Sequence, residues 1–281
     1  MPDVPEYAYD KKSTSALETR TLGIRFGGLQ AAEDVNLQLN EGEIVGLIGP
    51  NGAGKTTVFN LLTGVYQPTD GDVMLMGKST IGKPTYKITD LGIARTFQNI
   101  RLFKSMSVIE NIKVAFQSRM HYTLVDGAIR TNYYDREERG CDQRARELLQ
   151  VFDMEHLAEN NASSLSYGQQ RKLEIARAMA SNPKVLLLDE PAAGMNPIET
   201  QELMETIRVI RERFHVTILL IEHDMKLVMG ICERIYVLNY GRVIAAGTPD
   251  EIKNNQEVVA AYLGSPDEDI AETGEEAALH A

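Results

Sequence analysis

From about Leu22 to Gly49, apolar and polar residues alternate in short runs, LGIRF and VNLQLN, joined by FGG and NEGE, and GDVMLMGK adds another run further on. Period-two alternation bounded by Gly and Asn marks half-buried strands, so a small antiparallel sheet is expected there. Between Asp90 and Ser181 the apolar spacing changes to three and four residues in SVIENIKVAFQSRM, CDQRARELLQVF and SYGQQRKLEIARAMA, which predicts a helical subdomain over about 90–181. Within it, residues 119–140, RMHYTLVDGAIRTNYYDREERG, have weak periodicity and read as a surface excursion between two helices. Beyond Ser181, KVLLLDE, IETQELMETIRVIRERF, VTILLIE, DMKLVMGIC and RIYVLN alternate strand-like and helix-like patterns, as a parallel α/β core does. No motif occurs twice, so there is no internal repeat.

Composition narrows this picture. With 281 residues and 43% hydrophobic positions the chain can bury a full core. A net charge of -11 argues against a nucleic-acid partner, whose backbone calls for a basic surface. Cys141 and Cys232 form no metal-binding or redox pattern, which suits a reducing cytosol. The longest apolar runs are strand-length, far from the roughly 18 to 20 residues that span a bilayer. Residues 1–19 lack a signal core and are expected to be a flexible leader. Residues 265–281 carry six acids and no Lys or Arg, and are expected to be a disordered, solvated tail.

Chemistry enters with GPNGAGKTT, the run of Gly49, Pro50, Asn51, Gly52, Ala53, Gly54, Lys55, Thr56 and Thr57, set between a strand-like EIVGLI and a helix-like TTVFNLLTG. It fits the phosphate-loop template G-x-x-x-x-G-K-[ST] in its required strand-to-helix context. Glycines let successive N–H groups converge on an anion at the positive end of the following helix. Lys55 is placed to reach terminal phosphates, and the Thr56 hydroxyl to ligate Mg²⁺.

KVLLLDE ends a buried strand in Asp189 and Glu190, two carboxylates at the sheet edge where open α/β folds bind ligands. Asp189 is expected to hold Mg²⁺ through water, and Glu190 to polarise the water that attacks a γ-phosphate. His223 ends a second strand at the same edge, where a neutral imidazole can sense that phosphate. In LSYGQQ, Ser166 and Gln169 form an S-x-x-Q capping box, and the Ser166 hydroxyl, the Gly168 amide and the helix tip form a second anion site. Two phosphate sites in one chain suggest a nucleotide sandwiched between two subunits.

In this order and spacing GPNGAGKTT, Gln98 in RTFQN, LSYGQQ, VLLLDEP and His223 in IEHD resemble the nucleotide-binding subunit of an ABC transporter over residues 20 to 264. ARTFQNIRLFKSMSVIENIKVA, DEPAAGMNP, ILLIEHDMKLVMGIC and AAYLG resemble the branched-chain amino acid importers more closely, in the LivG type of ATPase subunit. The resemblance implies an α/β P-loop NTPase core with an antiparallel β subdomain and an inserted helical subdomain. It also implies ATP and Mg²⁺ as cofactors and a head-to-tail dimer with itself or a paralogous ATPase. In that dimer Ser166, Gly168 and Gln169 of one chain complete the site opened by Lys55 of the other. Gln98 would touch Mg²⁺ or water, and Phe26 would stack on adenine.

Asn196 stands where many relatives have aspartate, which loses a charge for cross-dimer coupling. The implied function is ATP hydrolysis powering uptake of branched-chain amino acids or related amides. Two membrane permease subunits and a periplasmic or extracellular solute-binding protein would be partners, at the cytoplasmic face of the inner membrane. NIRLFKSMSVIEN would line the permease groove, with Phe103 and Met106 as candidate contacts, although both would equally suit a core. A soluble ABC-type ATPase acting on ribosomes or DNA is the alternative.

Overall fold

The computed structural model describes residues 15–116 and 132–263. Eleven strands are described, in two sheets. The first is antiparallel: β1 (Ser15–Phe26) lies between β2 (Leu29–Val35) and β5 (Asp70–Leu75), β6 (Lys78–Ser79) follows β5, and β3 (Gln38–Asn40) pairs with β1. Strand β1 starts at Ser15, so residues 15–19 of the expected leader belong to the sheet.

The second sheet has the order β11-β10-β4-β9-β8-β7. Strands β4 (Ile44–Ile48), β7 (Ile93–Arg95), β8 (Val185–Asp189), β9 (Thr217–Ile221) and β10 (Arg234–Asn239) run parallel, and β11 (Arg242–Gly247) closes one edge antiparallel. All residues of β4, β8 and β9 are buried, as expected of strands covered on both faces, which read as unbroken apolar runs. Successive side chains feed different layers. Ile44 and Ile48 join the core under the helices, while Val45 and Leu47 join the core shared with the first sheet.

Helix α1 (Lys55–Leu62) follows β4, and α2 (Thr85–Leu91) precedes β7. The helical region holds α3 (Val108–Phe116), α4 (Asn132–Val151) and α5 (Tyr167–Ala180). Val108, Ile109 and Ile112 meet Ala145, Leu148, Leu149 and Leu173 there, in the same apolar cluster that covers the sheet. Two expectations need correction. Residues 93–95 lie in a region read as helical but form an edge strand, Ile93 opposite Val185 and Arg95 opposite Leu187. Residues 132–140, read as part of an excursion, belong to α4, and its remainder, 119–131, lies outside the described residues.

Helix α6 (Pro197–Phe214) connects β8 to β9, and α7 (Met225–Ile231) connects β9 to β10. Asn196 caps α6 by accepting N–H bonds from Ile198 (2.9 Å) and Glu199 (3.1 Å), and Pro197 takes the first helical position. The short α8 (Pro249–Lys253) and α9 (Gln256–Leu263) end the described chain. Among the described residues no helix is long and apolar enough to cross a membrane. The expected tail, 265–281, lies outside them.

Candidate active site

The loop from Gly49 to Thr57 leaves the carboxyl end of β4 and enters α1. Gly49 has φ 153°, and a Cβ there would stand 2.0 Å from the Leu238 carbonyl oxygen, so a side chain cannot be accommodated. Gly54 has φ 102° and lies against the Ala31 carbonyl. No side chain caps α1, which leaves its first-turn N–H groups for an anion. Within the loop the Ala53 N–H donates to Pro50 O, while Asn51 and Gly52 are exposed.

The Lys55 ammonium is buried and donates to the carbonyls of Gly49 (2.6 Å) and Pro50 (3.0 Å). Burial lowers its pKa more than Glu190 and Asp189 raise it. A cation resting on neutral carbonyls can transfer to a phosphate without breaking an ion pair. Thr56 is exposed at the start of α1, and Thr57 is half-buried. From the outer side, Ala260 and Ala261 of α9 line a cleft together with Pro50, Asn51, Gly52 and Ala53 of the loop.

Asp189 and Glu190 end β8 with different partners. The Asp189 carboxylate accepts a 2.6 Å bond from the Arg95 guanidinium at the end of β7. Glu190 takes a left-handed φ of 46°, a strained conformation costing on the order of 1–3 kcal/mol for a residue with a side chain. Its turn is held by its own N–H donating to Ile221 O (2.9 Å). One Glu190 oxygen accepts from Gln98 Nε2 and the other meets His223 Nε2, both at 2.7 Å. An ionised carboxylate only accepts, so His223 carries its hydrogen on Nε2 here.

Gln98, Glu190 and His223, far apart in sequence, thus converge on one carboxylate. Thr56, the side-chain oxygen of Gln98 and Asp189 are hard oxygen donors of the kind Mg²⁺ takes together with phosphate oxygens and water.

Ser166 and Gln169 make the expected reciprocal capping box at α5, with bonds of 3.0 and 3.3 Å. Their hydrogen bonds close on each other, so this chain does not bring them to its own phosphate loop. Gly168 sits against Glu199, where a Cβ would come within 3.0 Å of the carboxylate. Phe26 is exposed at the end of β1, its ring 5.2 Å from Tyr66 in an edge-on arrangement.

Three residues that the sequence reading did not single out stand beside these. Arg95 pairs with Asp189. Arg171, fully buried on α5, donates to the carbonyls of Phe97 and Gln98, both at 2.7 Å, and to Glu174 at 2.9 Å. Glu222 accepts N–H bonds from Ala192 (2.6 Å) and His223 (3.0 Å). The first two are cations within otherwise apolar or mixed runs, and Glu222 directly precedes His223. A charged residue at a buried periodic position was the available signal.

The fold and this arrangement define a class, and the comparisons agree with it. Residues 32–193 match the family model described as ABC transporter, and residues 242–268 match that of the branched-chain amino acid ATP-binding cassette transporter. The chain belongs to the ABC transporter family, as an ATP-binding cassette. It is 51% identical over 252 residues to the high-affinity branched-chain amino acid transport ATP-binding protein LivG of Salmonella typhimurium, covering 90% of this chain and 99% of the relative.

Among solved structures it resembles an ATP-binding cassette of an ABC transporter in its ADP conformation. That pair has a TM-score of 0.78 and 29% identity, over 89% of this chain and 99% of the other. It also resembles a dimeric cassette in a post-hydrolysis state bound to ADP and Pi, with TM-score 0.69 and 25% identity over 83% and 98% of the two chains.

Proposed function

We propose that this chain hydrolyses ATP to power import of branched-chain amino acids through separate membrane permeases, to which it is peripheral. Similarity to LivG over nearly the whole of both chains supports the solute class. The alternative of an ATPase acting on ribosomes or DNA draws no support from the relatives, which are transport proteins. Related amides as further solutes, a solute-binding protein as partner and the cytoplasmic face as the docking side belong to the same reading.

The observation that carries the mechanism is the grip of Gln98 and His223 on both oxygens of Glu190. In this arrangement each Glu190 oxygen already accepts one hydrogen bond. On nucleotide binding Lys55 exchanges its two carbonyl partners for phosphate oxygens, and the α1 N–H groups take others. His223 turns its Nε2 hydrogen to the γ-phosphate, which leaves that Glu190 oxygen more basic toward a proton from the attacking water. Thr56, Gln98 and Asp189 would hold Mg²⁺, whose chemistry is to neutralise charge on the phosphate oxygens. Phe26 offers a ring face to the base. Ser166, Gly168 and Gln169 serve the site of a second chain, which explains why their bonds within this one are confined to their own helix tip.

Glu190→Gln tests this directly. Steady-state phosphate release is expected to fall by about 10²- to 10⁴-fold, the usual worth of a positioned general base. ATP affinity should stay near wild type, and an ATP-dependent dimer should persist on size exclusion. Full turnover in the variant would refute the assignment.

A further inference from the structure

Asp189 does not face the nucleotide site alone. Arg95 and Asp189 are 10% and 8% exposed in their side chains, so their 2.6 Å contact is only weakly screened by water. The guanidinium is anchored independently of that carboxylate. Its other terminal nitrogen donates to Asn60 Oδ1 on α1 at 2.7 Å, and the rings of Phe59 and Phe97 lie 5.4 and 5.5 Å from its central carbon. Nε is buried without an acceptor, and among the described residues Asp189 is the carboxylate in ion-pair contact with this cation.

We propose that Arg95 sets how tightly the site holds its divalent cation, by competing with that cation for the charge of Asp189. The inference rests on the nucleotide reading above and concerns a residue to which that reading gives no task. β7 and the segment that follows it carry two grips on successive carboxylates. Arg95 takes Asp189, and three positions later Gln98 takes Glu190. Asn60 and the Phe59 ring belong to α1, the helix that the phosphate loop opens. One guanidinium thereby joins the loop's helix, the edge strand and the metal carboxylate. A fixed positive charge in contact with a carboxylate changes its affinity for another cation by about one to three powers of ten. Arg95 thus keeps the ion exchangeable between turnovers.

A purely structural ion pair would affect stability and leave metal affinity where it is. The test is Mn²⁺ titration of the full chain, saturated with a non-hydrolysable ATP analogue and followed by electron paramagnetic resonance. Arg95→Gln is expected to bind Mn²⁺ about tenfold more tightly or better. Arg95→Lys, which keeps the charge, should stay within about threefold of wild type. If the Gln variant does not fold, Arg95→Met fills the space between the two rings and should show the same tightening. Adding Asp189→Asn should abolish the gain. Unchanged or weaker Mn²⁺ binding in the Gln or Met variant, beside a wild type that binds it, overturns this proposal alone. A wild type that binds neither analogue nor Mn²⁺ overturns the nucleotide reading together with it.

Discussion

Glu222 shows how much one buried side chain organises. It is 3% exposed and accepts N–H bonds from Ala192, His223 and Asp224, which ties the turn carrying His223 to the segment after Glu190. Burial pushes its carboxyl pKa up, and the neighbouring charge of Glu190 adds to that, against the three N–H donors that pull it down. A carboxyl raised in the fold retains its proton longer than in the unfolded chain. Its contribution to stability is therefore fully present below the ordinary value of 4.5 and is lost as pH climbs through the folded value. Glu222→Gln does not titrate. The Tm of wild type minus that of the variant should accordingly shrink as pH rises from about 4.5, as thermal unfolding monitored by circular dichroism would show. A difference independent of pH would contradict the burial argument. Lys55 was legible in the sequence because its neighbours spell a template, whereas Glu222 and Arg95 act through partners that only the fold brings near.

Among the elements, α5 does most to join separate parts. Its tip carries the capping box, and one turn further Arg171 holds the carbonyls of Phe97 and Gln98, while Glu174 accepts the Arg101 N–H at 3.1 Å. Any rotation of this helix therefore moves the backbone that presents Gln98 to Glu190. Arg171→Met leaves Glu174 buried without its cation and two carbonyls without donors, an expected loss of about 3–5 kcal/mol, measurable as a lower urea midpoint. Arg171→Met with Glu174→Leu should recover part of it, because the stranded charge is gone. The cap of α5 was visible as S-x-x-Q, and so were the strands buried on both faces. Strand β7 was not, since three residues are too few to express a period and its pairing with β8 crosses most of the helical region. The start of β1 at Ser15 was hidden for a related reason: SALETR alternates weakly, and its partners lie in β3 and β5.

For the whole molecule, function requires contact with a membrane protein. A groove of about 650 Å³ lies between the sheet and the helical region, lined by Ile88, Arg101, Leu102, Phe103, Ala115 and Arg177 among others. Phe103 is 47% exposed with its ring 5.6 Å from the Arg177 guanidinium, whereas Met106 is partly buried and does not line the groove. If the permease docks here, Phe103→Ala should weaken its capture from detergent-solubilised membranes by about 2 kcal/mol, the scale of an interface anchor. ATP hydrolysis by the isolated chain should be unchanged. Lys55→Ala gives the converse pattern, with permease capture retained and ATP affinity reduced at least tenfold, measured by equilibrium binding of a fluorescent nucleotide.

The cleft that Ala260 and Ala261 of α9 share with Pro50, Asn51 and Gly52 means that the loop is braced from two directions. Strand β4 launches the bend, and the last described helix backs it. Removing α9 is therefore surgery on the nucleotide cradle, though most of the chain lies between the two places.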